Sequence, residues 1–392
     1  MELLLVLEHH FYRDENGEVW SERVIDREFI GRYLKVFNNV TVCARVSNKL
    51  PVKGNLKKVS GENTSFLPLP DFKGYTGLIL NMPKVLRIFL MNFKKFESVI
   101  FRAPSPLSLI LYRFSIDKVK VGVEFVMGAD QFFSNKNIIM KVINRIITKE
   151  AQSLCLKANA VSYVTSEYLQ KIYPSHSIRY GPDKQHFDSH YSSASLQDYN
   201  YYRKNWVLDN EPVIFNIVHV GYMDSDRKGH KILIDSAKQV IEKGYNIRVT
   251  FVGDGSLKES FIKQTIEHGI EDKVIFHGET NDKKEIVEIL KQAHLFVLPS
   301  KSEGLPRVII EAMATSTPCL ASGVDGIPEL LDEEYIVRSN FTDEYTEKII
   351  GLFSNWEEMI NASEKNYEKA KTFHNDILDK KRTEFYRQLK EM

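Results

Sequence analysis

Two glutamates, Glu303 and Glu311, are the residues whose type and spacing best suit ligand binding. Between them, Gly304-Leu-Pro306 and the apolar Val308-Ile-Ile310 predict a helix with Pro306 at its first position, where proline gives up no hydrogen bond. Backbone N–H groups at such a helix start bind anions, and Glu311 would lie about 7 Å further along the helix axis. One carboxylate on each side of an anion site suits a phosphorylated ligand with hydroxyls at both ends. The alternative is a solvent-exposed helix whose acids favour its dipole.

A second group of ligand-type residues follows the strand predicted at residues 213–218. Gly221 lets a backbone come close, and the adjacent cations Arg227 and Lys228 could face phosphate. Lysine is a mobile point charge that suits a diphosphate. The alternative is that both cations are turn residues in solvent.

Three more predicted strands of the second half end in turns that contain glycine. They are followed by Gly253-Asp-Gly255, by His277-Gly278-Glu-Thr280 and by Gly323-Val-Asp-Gly326. The first is typical of a plain strand–helix turn, whereas the second offers free backbone groups that could hold the edge of a base. In open α/β sheets ligands bind beyond the carboxyl ends of the strands. We therefore expect these turns to lie around the same site as Lys228 and Glu303.

Alternation of apolar strands with amphipathic helices predicts the fold class: α/β, with a doubly wound parallel, Rossmann-like sheet in each half. A length of 392 residues suits two domains that each bury a core. The first domain is predicted at residues 1–200 and the second at residues 201–372. The predicted strands are residues 3–7, 39–46, 98–101, 120–127, 160–164, 213–218, 247–252, 274–277, 295–298 and 319–321.

Net charge and its distribution along the chain indicate which classes of partner the protein could bind. A formal net charge of +1 with 43% hydrophobic residues is ordinary for a globular protein, and no nucleic-acid partner is expected. Residues 1–200 nevertheless carry 27 Lys and Arg against 19 Asp and Glu, which fits anions such as phospholipid headgroups, with chance asymmetry as the alternative. The basic helix predicted at residues 78–96 either contacts an anionic bilayer surface or packs with a solvated basic edge.

Location follows from cysteine usage and apolar patterning. Cys43, Cys155 and Cys319 are widely spaced, which indicates reduced thiols in the cytosol and matches no zinc pattern. The apolar N-terminus is too short for a signal peptide, and no apolar run predicts a membrane-spanning helix. We expect a cytoplasmic protein, with contact at the inner face of the cell membrane as the alternative.

Residues 213–331 together resemble family 4 of the glycosyltransferases, which are retaining enzymes of the GT-B fold. EGLPRVIIEAM (303–313) is similar to the family's Glu-x7-Glu element, and VGDGSLKE (252–259) is similar to its glycine turn. VLPSKSEGLP (297–306) looks like its strand-to-helix approach. The resemblance implies that the two domains face a central cleft and that a final helix, within residues 373–392, crosses back to the first domain.

The resemblance also implies roles for individual residues. Glu311 would accept hydrogen bonds from the nucleotide ribose, and Glu303 would bind the donor hexose. The amides of Gly304 and Leu305 would hold the diphosphate, and Lys228 would offset its charge; Glu303 and Lys228 are the predicted catalytic residues. The implied donor-binding residues are Gly221, Arg227, Lys228, His277, Gly278, Thr280, Glu303, Gly304, Leu305 and Glu311.

One position departs from the family pattern. Many members carry an arginine where this chain has Tyr222. Neutralisation of the phosphate therefore rests on Lys228, with Arg227 as a second cation.

The first half resembles members that make bacterial surface polysaccharides, through NGEVWSE, FRAPS (101–105) and YVTSEYLQKIYP (163–174). The histidines at the end of the first strand could touch an acceptor or be satisfied by nearby backbone. Arg102 could reach a phosphate or pair with a carboxylate. The acceptor or cleft candidates are His9, His10, Arg102, Glu124 and Asp130.

The activity implied is retaining transfer of a hexose from a nucleotide-diphosphate sugar to a lipid-linked or oligosaccharide acceptor, in cell-surface polysaccharide biosynthesis. No cofactor and no metal are expected, since Asp224-Ser-Asp226 lies in the phosphate turn and the donor's own phosphate oxygen would accept the proton. The alternatives are a nucleotide-sugar epimerase of the same fold and a non-catalytic partner subunit. A nicotinamide dehydrogenase is not expected, because no GxGxxG follows the first strand.

Overall fold

The computed structural model describes residues 2–22, 25–51, 56–129, 138–206, 213–280, 282–339 and 341–392. The chain divides into two compact units. Unit 1 comprises Met1–Tyr191 and Leu378–Met392, and unit 2 comprises Ser192–Ile377. The strand Phe187–His190 still pairs with the sheet of unit 1, so the division falls after this strand. The boundary expected at residue 200 lies a few residues further along the chain.

Unit 1 is built on a mainly parallel sheet. Its strands are β1 (Glu2–Arg13), β2 (Val19–Ser21), β3 (Asn39–Ser47), β4 (Lys57–Lys58), β5 (Thr64–Leu69), β6 (Ser98–Ala103), β7 (Lys120–Phe125), β8 (Ala160–Tyr163) and β9 (Phe187–His190). Its helices before unit 2 are α1 (Arg27–Leu34), α2 (Gly74–Asn92), α3 (Pro106–Ser115), α4 (Ile138–Lys157), α5 (Tyr168–Ile172) and α6 (His176–Tyr180). The parallel strands follow the order β5-β3-β1-β6-β7-β8-β9. The short β2 pairs antiparallel with the last residues of β1, and β4 pairs antiparallel with β2.

Unit 2 is built on a parallel sheet with helices between its strands. The strands are β10 (Phe215–Val220), β11 (Ile247–Val252), β12 (Val274–Gly278), β13 (Leu295–Leu298), β14 (Cys319–Ser322) and β15 (Ile336–Val337). The helices are α7 (His230–Glu242), α8 (Lys258–Glu267), α9 (Lys283–Gln292), α10 (Arg307–Ala314), α11 (Thr342–Phe353) and α12 (Trp356–Lys371), and α13 (Asn375–Glu391) follows. With these two units the predicted doubly wound α/β class is confirmed.

The strand order of unit 2 fixes where a ligand can bind. Neighbouring strands run β12-β11-β10-β13-β14-β15, and every pair among them is parallel. This is the doubly wound order in which the chain reverses its direction of travel between the first and fourth strands, here β10 and β13. The two strands are in register through Ile217 with Leu295 and Val218 with Phe296. The carboxyl ends of β10 and β13 therefore form the topological switch point.

The last helix completes unit 1. On α13, Phe385, Tyr386 and Leu389 are buried, and Lys390 Nζ donates to the carbonyl of Val36 at 2.7 Å. Four strands of this unit, β2, β4, β5 and β9, are not predicted by the sequence pattern. β5 carries Pro68, which an edge strand tolerates, and β9 alternates polar residues. Among the described helices, none is both long enough and apolar enough to cross a bilayer.

Candidate functional site

The loops that follow β10 and β13 pack against each other at the switch point of unit 2. Gly229 has a φ of 77°, and a Cβ there would lie 1.9 Å from the carbonyl oxygen of Pro299. Only glycine permits this approach. The N–H of Lys301 donates to the carbonyl of Arg227 at 2.8 Å, and its ammonium lies 2.7 Å from Asp226. The two loops therefore form one joined surface.

An ion pair lies across this junction. Lys228 ends a short 3-10 turn, Asp226–Lys228, and its Nζ is 2.6 Å from Oε1 of Glu303. The two side chains are only 18% and 9% exposed. The N–H of Glu303 donates to Oδ2 of Asp325 at 2.6 Å, which ties in the loop after β14. The structure thus brings together the two residues that the sequence assigns to catalysis. It adds Asp325, which lies in the predicted turn Gly323-Val-Asp-Gly326 and to which the sequence interpretation gave no role.

A fourth loop, which follows β11, contacts the loop after β10. The N–H of Gly221 donates to the carbonyl of Val252 at 2.9 Å. Gly253 has a φ of 142°, and a Cβ there would lie 2.1 Å from the carbonyl oxygen of Gly221. Backbone lies directly on backbone here, so the position of Gly221 is fixed by Gly253. The sequence predicts a plain strand–helix turn at Gly253. In the structure this turn also sets the shape of the loop after β10.

Two buried histidines, His219 and His230, support Gly221. Their ring centroids are 4.5 Å apart, and Nδ1 of His219 donates to the carbonyl of Val297 at 2.9 Å. Burial holds the pKa of His219 well below its usual range, and burial lowers the pKa of His230 to about 4. Both rings are therefore neutral at physiological pH. The sequence shows these histidines, but their pairing depends on packing against β11.

The segment before α10 presents free backbone donors. The helix begins at Arg307 with Pro306 as its cap residue, one position later than predicted. Within the described part of the chain, the N–H groups of Gly304 and Leu305 donate to no protein acceptor, while the carbonyl of Gly304 accepts from Gly326 at 3.1 Å. Free N–H groups beside the start of a helix form an anion site.

Glu311 lies on α10 among the buried Ile309, Ile310 and Met313 and is itself half-buried. Among the described residues, its carboxylate makes no hydrogen bond or ion pair. Burial raises its pKa, and the charges of Arg307 and Lys283 oppose that rise. A half-buried carboxylate without a partner is an acceptor held ready for a ligand's hydroxyls.

The candidates for base binding lie at the end of β12, two strands away from the ion pair. Gly278 accepts from the N–H of Gly253 at 2.9 Å. Nε2 of His277 is 3.4 Å from Glu285, and the hydroxyl of Thr280 donates to the same carboxylate. The structure links Gly278 to the glycine turn and leaves His277 partly exposed.

In unit 1 the strand order reverses between β1 and β6, which makes the end of β1 its switch point. A pocket of about 300 Å³ lies there, lined by Glu8, His9, His10, Tyr12, Glu22 and Arg45. Nε2 of His9 is 2.8 Å from the hydroxyl of Ser21, and Nε2 of His10 is 2.8 Å from Asp71. Burial raises the pKa of Glu8. Both predicted histidines thus lie at a pocket, each with a side-chain partner.

The two other described candidates of unit 1 form a buried cluster instead of facing open space. Glu124 is 5% exposed and accepts from Arg102 at 3.1 Å, from Tyr33 at 2.8 Å and from Tyr386 at 2.5 Å. These contacts hold α1 and α13 on the sheet. Glu124 therefore has a structural role, and Arg102 pairs with a carboxylate, which was one of the two alternatives for that residue. Asp130 lies outside the described residues.

Comparison with known proteins assigns the segment that carries the ion pair. Residues 202–369 match the family described as "Glycosyl transferases group 1". This segment is therefore similar to the group 1 glycosyltransferases. The chain is also similar to Protein CapJ of Staphylococcus aureus, at 26% identity over 340 residues, covering 86% of this chain and 83% of that protein.

Solved structures extend the likeness to the whole chain. WaaG, a glycosyltransferase involved in lipopolysaccharide biosynthesis, matches with a TM-score of 0.65 at 14% identity, covering 97% of this chain and 98% of that one. HepE of Anabaena, in complex with UDP and glucose, matches with a TM-score of 0.64 at 14% identity, covering 97% of each chain. At such identity the likeness concerns the fold, and it is that of the GT-B glycosyltransferases.

Proposed function

We propose that this protein is a group 1 glycosyltransferase that moves a hexose, with retention of configuration, from a nucleotide-diphosphate sugar to a lipid-linked or oligosaccharide acceptor. The observation that carries the proposal is the Lys228–Glu303 pair at the switch point of unit 2, beside the free amides of Gly304 and Leu305. A cation and free N–H donors suit a diphosphate. The match to HepE, whose structure contains UDP and glucose, is consistent with such a donor.

The ion pair serves both ends of the donor in this proposal. The ammonium of Lys228 has three N–H donors, so it can keep its contact with Glu303 and also reach the diphosphate. The second carboxylate oxygen of Glu303 then accepts from a hydroxyl of the hexose. Glu311 accepts from the ribose, since its half-buried carboxylate has no partner among the described residues.

The transfer itself needs little from the protein beyond charge stabilisation. The bond between the anomeric carbon and the diphosphate breaks, and the acceptor oxygen bonds to the same face of that carbon. The acceptor's hydroxyl proton passes to the departing phosphate oxygen, so the products are the nucleoside diphosphate and the glycoside. Preorganised N–H groups and Lys228 stabilise the charge that develops on the diphosphate. The buried neutral histidines below Gly221 add no competing charge.

We place the acceptor at the pocket at the end of β1, where His9, His10 and Arg45 offer polar contacts. A lipid-linked acceptor requires contact with a membrane. On α2, the apolar Ile79, Leu80 and Met91 are 70%, 77% and 65% exposed. The exposed side chains on α4 include Ile138, Ile139, Val142 and Ile146.

Exposed cations accompany these apolar side chains: Lys84 and Arg87 on α2, and Lys141 and Arg145 on α4. Apolar side chains that enter the interface, next to cations that meet anionic headgroups, are typical of peripheral membrane helices. This surface supports a place at the inner face of the cell membrane, and the likeness to WaaG supports a role in surface polysaccharide biosynthesis.

The test is a product analysis by NMR. The donor is chosen by thermal shift from UDP-, GDP- and ADP-hexoses, because a ligand that binds only the folded state raises the melting temperature. The protein is then incubated with that donor, with and without a lipid-linked oligosaccharide. A new glycosidic signal of the donor's own anomeric configuration, seen only with acceptor, is the expected result. An inverted linkage contradicts retention, and isomerised donor without acceptor indicates an epimerase. Donor binding without any turnover indicates a non-catalytic subunit.

A further inference from the structure

A cluster of two histidines and an aspartate lies in unit 1, and no role is assigned above to any of its three residues. His176 is the first residue of α6, and His186 immediately precedes β9. The intervening loop turns at Gly181, whose φ is 94°, and carries Asp183. A short stretch of chain thus brings three potential metal ligands together.

The geometry of the three ligand atoms fits one small cation. Oδ2 of Asp183 lies 3.1 Å from Nδ1 of His186 and 3.8 Å from Nδ1 of His176. One ligand atom from each residue lies within 4.8 Å of the other two. In a tetrahedral zinc site with bonds of about 2.0–2.1 Å, ligand atoms lie about 3.3 Å apart. The two separations from Oδ2 of Asp183, 3.1 Å and 3.8 Å, lie on either side of that value.

Hydrogen bonding alone does not account for His176. Its Nδ1 is buried, and no described residue makes a hydrogen bond to it. The 3.8 Å that separates it from Asp183 is too long for a hydrogen bond. The two imidazole rings also stack, with centroids 3.8 Å apart and planes 22° from parallel. A metal ion lies close to the plane of each imidazole that binds it, so one of the two stacked rings rotates when both Nδ1 atoms bind the same ion. That ion would satisfy His176.

The remaining oxygen of the aspartate is already used. Oδ1 of Asp183 accepts from the N–H of Gln185 at 2.7 Å. A hydrogen bond of this kind orients a metal-ligating carboxylate and leaves the other oxygen for the ion. Nδ1 of His186 lies 3.1 Å from both oxygens of Asp183, and Oδ2 is the one that also lies 3.8 Å from Nδ1 of His176.

The histidines also line a pocket, which leaves room for a fourth ligand. The pocket has a volume of about 560 Å³, and its other lining residues include Arg113 and Lys157. Zinc sites with three protein ligands keep their fourth position for water or an added group.

We propose that unit 1 binds one divalent transition metal of the zinc class through Nδ1 of His176, Nδ1 of His186 and Oδ2 of Asp183. The metal joins α6 to the start of β9, the edge strand of the sheet, and so stabilises the end of unit 1. Borderline-soft ions are favoured over magnesium and calcium, since two of the three ligands are imidazoles. This site is separate from the donor site of unit 2 and does not depend on the proposed transferase activity.

The test titrates the tag-free, chelator-treated full chain with Co²⁺ and then with Zn²⁺. We expect one Co²⁺ per chain, with the visible absorption of a low-symmetry site that Zn²⁺ abolishes. His176→Asn and His186→Asn should each weaken binding about tenfold or more, as loss of one of three ligands requires. His190→Asn is the matched control, because it removes a histidine from β9 whose Nε2 faces Lys381 at 3.4 Å, and it should bind as the wild type does.

A second measurement compares the melting temperature of each protein with and without Zn²⁺, so each variant serves as its own reference. Zn²⁺ should raise the melting temperature of the wild type and of His190→Asn, because the ion binds the folded state. It should leave the melting temperature of Asp183→Asn nearly unchanged. The proposal is overturned if the wild type shows no saturable Co²⁺ binding, or if the His176 and His186 variants bind Co²⁺ as tightly as the control does.

Discussion

Nζ of Lys228 lies 2.6 Å from Oε1 of Glu303, and this contact is one of several that join the loop after β10 to the loop after β13. Both side chains are largely shielded from water, at 18% and 9% exposure. A partly buried charge that loses its partner is poorly solvated, so each residue depends on the other. The pair therefore keeps the two loops of the switch point together.

A double-mutant cycle should measure this dependence. We expect Lys228→Ala and Glu303→Ala each to destabilise unit 2, and the double variant to cost less than the sum, with a coupling of about 1–3 kcal/mol in urea unfolding. The matched control is Lys263 with Glu267, an exposed pair at 3.6 Å, whose coupling should stay below about 0.5 kcal/mol. Equal coupling in the two cycles would show that burial adds nothing to the pair.

Glu311→Gln should separate stability from binding. Because burial raises the pKa of Glu311 in the folded protein, the ionised carboxylate opposes folding above that pKa, and its favourable contribution is present only below the unfolded value. Glutamine removes the charge, so we expect a gain of about 0.5–2 kcal/mol near neutral pH that disappears in acid. Nucleotide-sugar affinity should fall about tenfold or more. A variant that is both less stable and equally tight in binding would refute the assigned role.

Donor affinity should depend on pH through the same carboxylate. Protonated Glu311 loses acceptor capacity, so the dissociation constant should rise as the pH falls through the raised pKa of Glu311. The loss should begin at a higher pH than the usual value of 4.5 would give. Calorimetry with a nucleotide-sugar, whose phosphates stay ionised, measures this between about pH 8 and about pH 5. Glu311→Gln is the control, and a slope as steep in that variant as in the wild type would rule out Glu311 as the titrating group.

Alanine substitution of Gly229, with Gly244 as its control, should test how closely the loops after β10 and β13 approach each other. Both have a positive φ, 77° and 91°, but only at Gly229 would a Cβ meet another atom, the carbonyl oxygen of Pro299 at 1.9 Å. Gly244→Ala should cost about 1–2 kcal/mol from the backbone conformation alone. Gly229→Ala should cost more than about 3 kcal/mol and abolish donor binding. Similar costs at the two sites would mean that the loops are not in contact.

Transfer should proceed without a divalent metal in the donor site. Asp226 pairs with Lys301 at 2.7 Å, and Asp224 accepts from the N–H of Ser256 at 3.3 Å, so both carboxylates of that turn are engaged. We expect EDTA to leave turnover unchanged in the His186→Asn variant, which lacks a proposed ligand of the other site. Loss of turnover with EDTA and recovery with manganese would contradict this expectation.

Much of the fold could be predicted from local pattern. Continuous apolar runs such as residues 3–7 predict strands buried on both faces, and the sheets of both α/β units are wholly or mainly parallel. The start of α10 is displaced by one residue, since a proline serves equally as a cap or as a first residue. β9 is not predicted, because pairing with β8 and not its own composition makes it a strand.

Parts of the site could be predicted because strand ends carry ligands in this fold. Lys228 and Glu303 follow two different strands, and the sheet order places those strands side by side. The role of Glu124 could not be predicted, because its partners Tyr33 and Tyr386 are 91 and 262 positions away. The contact of Asp325 could not be predicted for the same reason, because its hydrogen bond with the Glu303 N–H joins residues 22 positions apart.

The most direct test of the central claim is calorimetric titration of the full chain with the nucleotide-sugar that thermal shift selects. Wild type is compared with Lys228→Ala, Glu311→Ala and a control, Glu288→Ala, which removes an exposed glutamate paired with Lys291 on α9. The account predicts one site, with binding weakened about tenfold or more in the first two variants, about 1.4 kcal/mol, and unchanged in the control. Affinity that is the same in Glu311→Ala as in the wild type would contradict it.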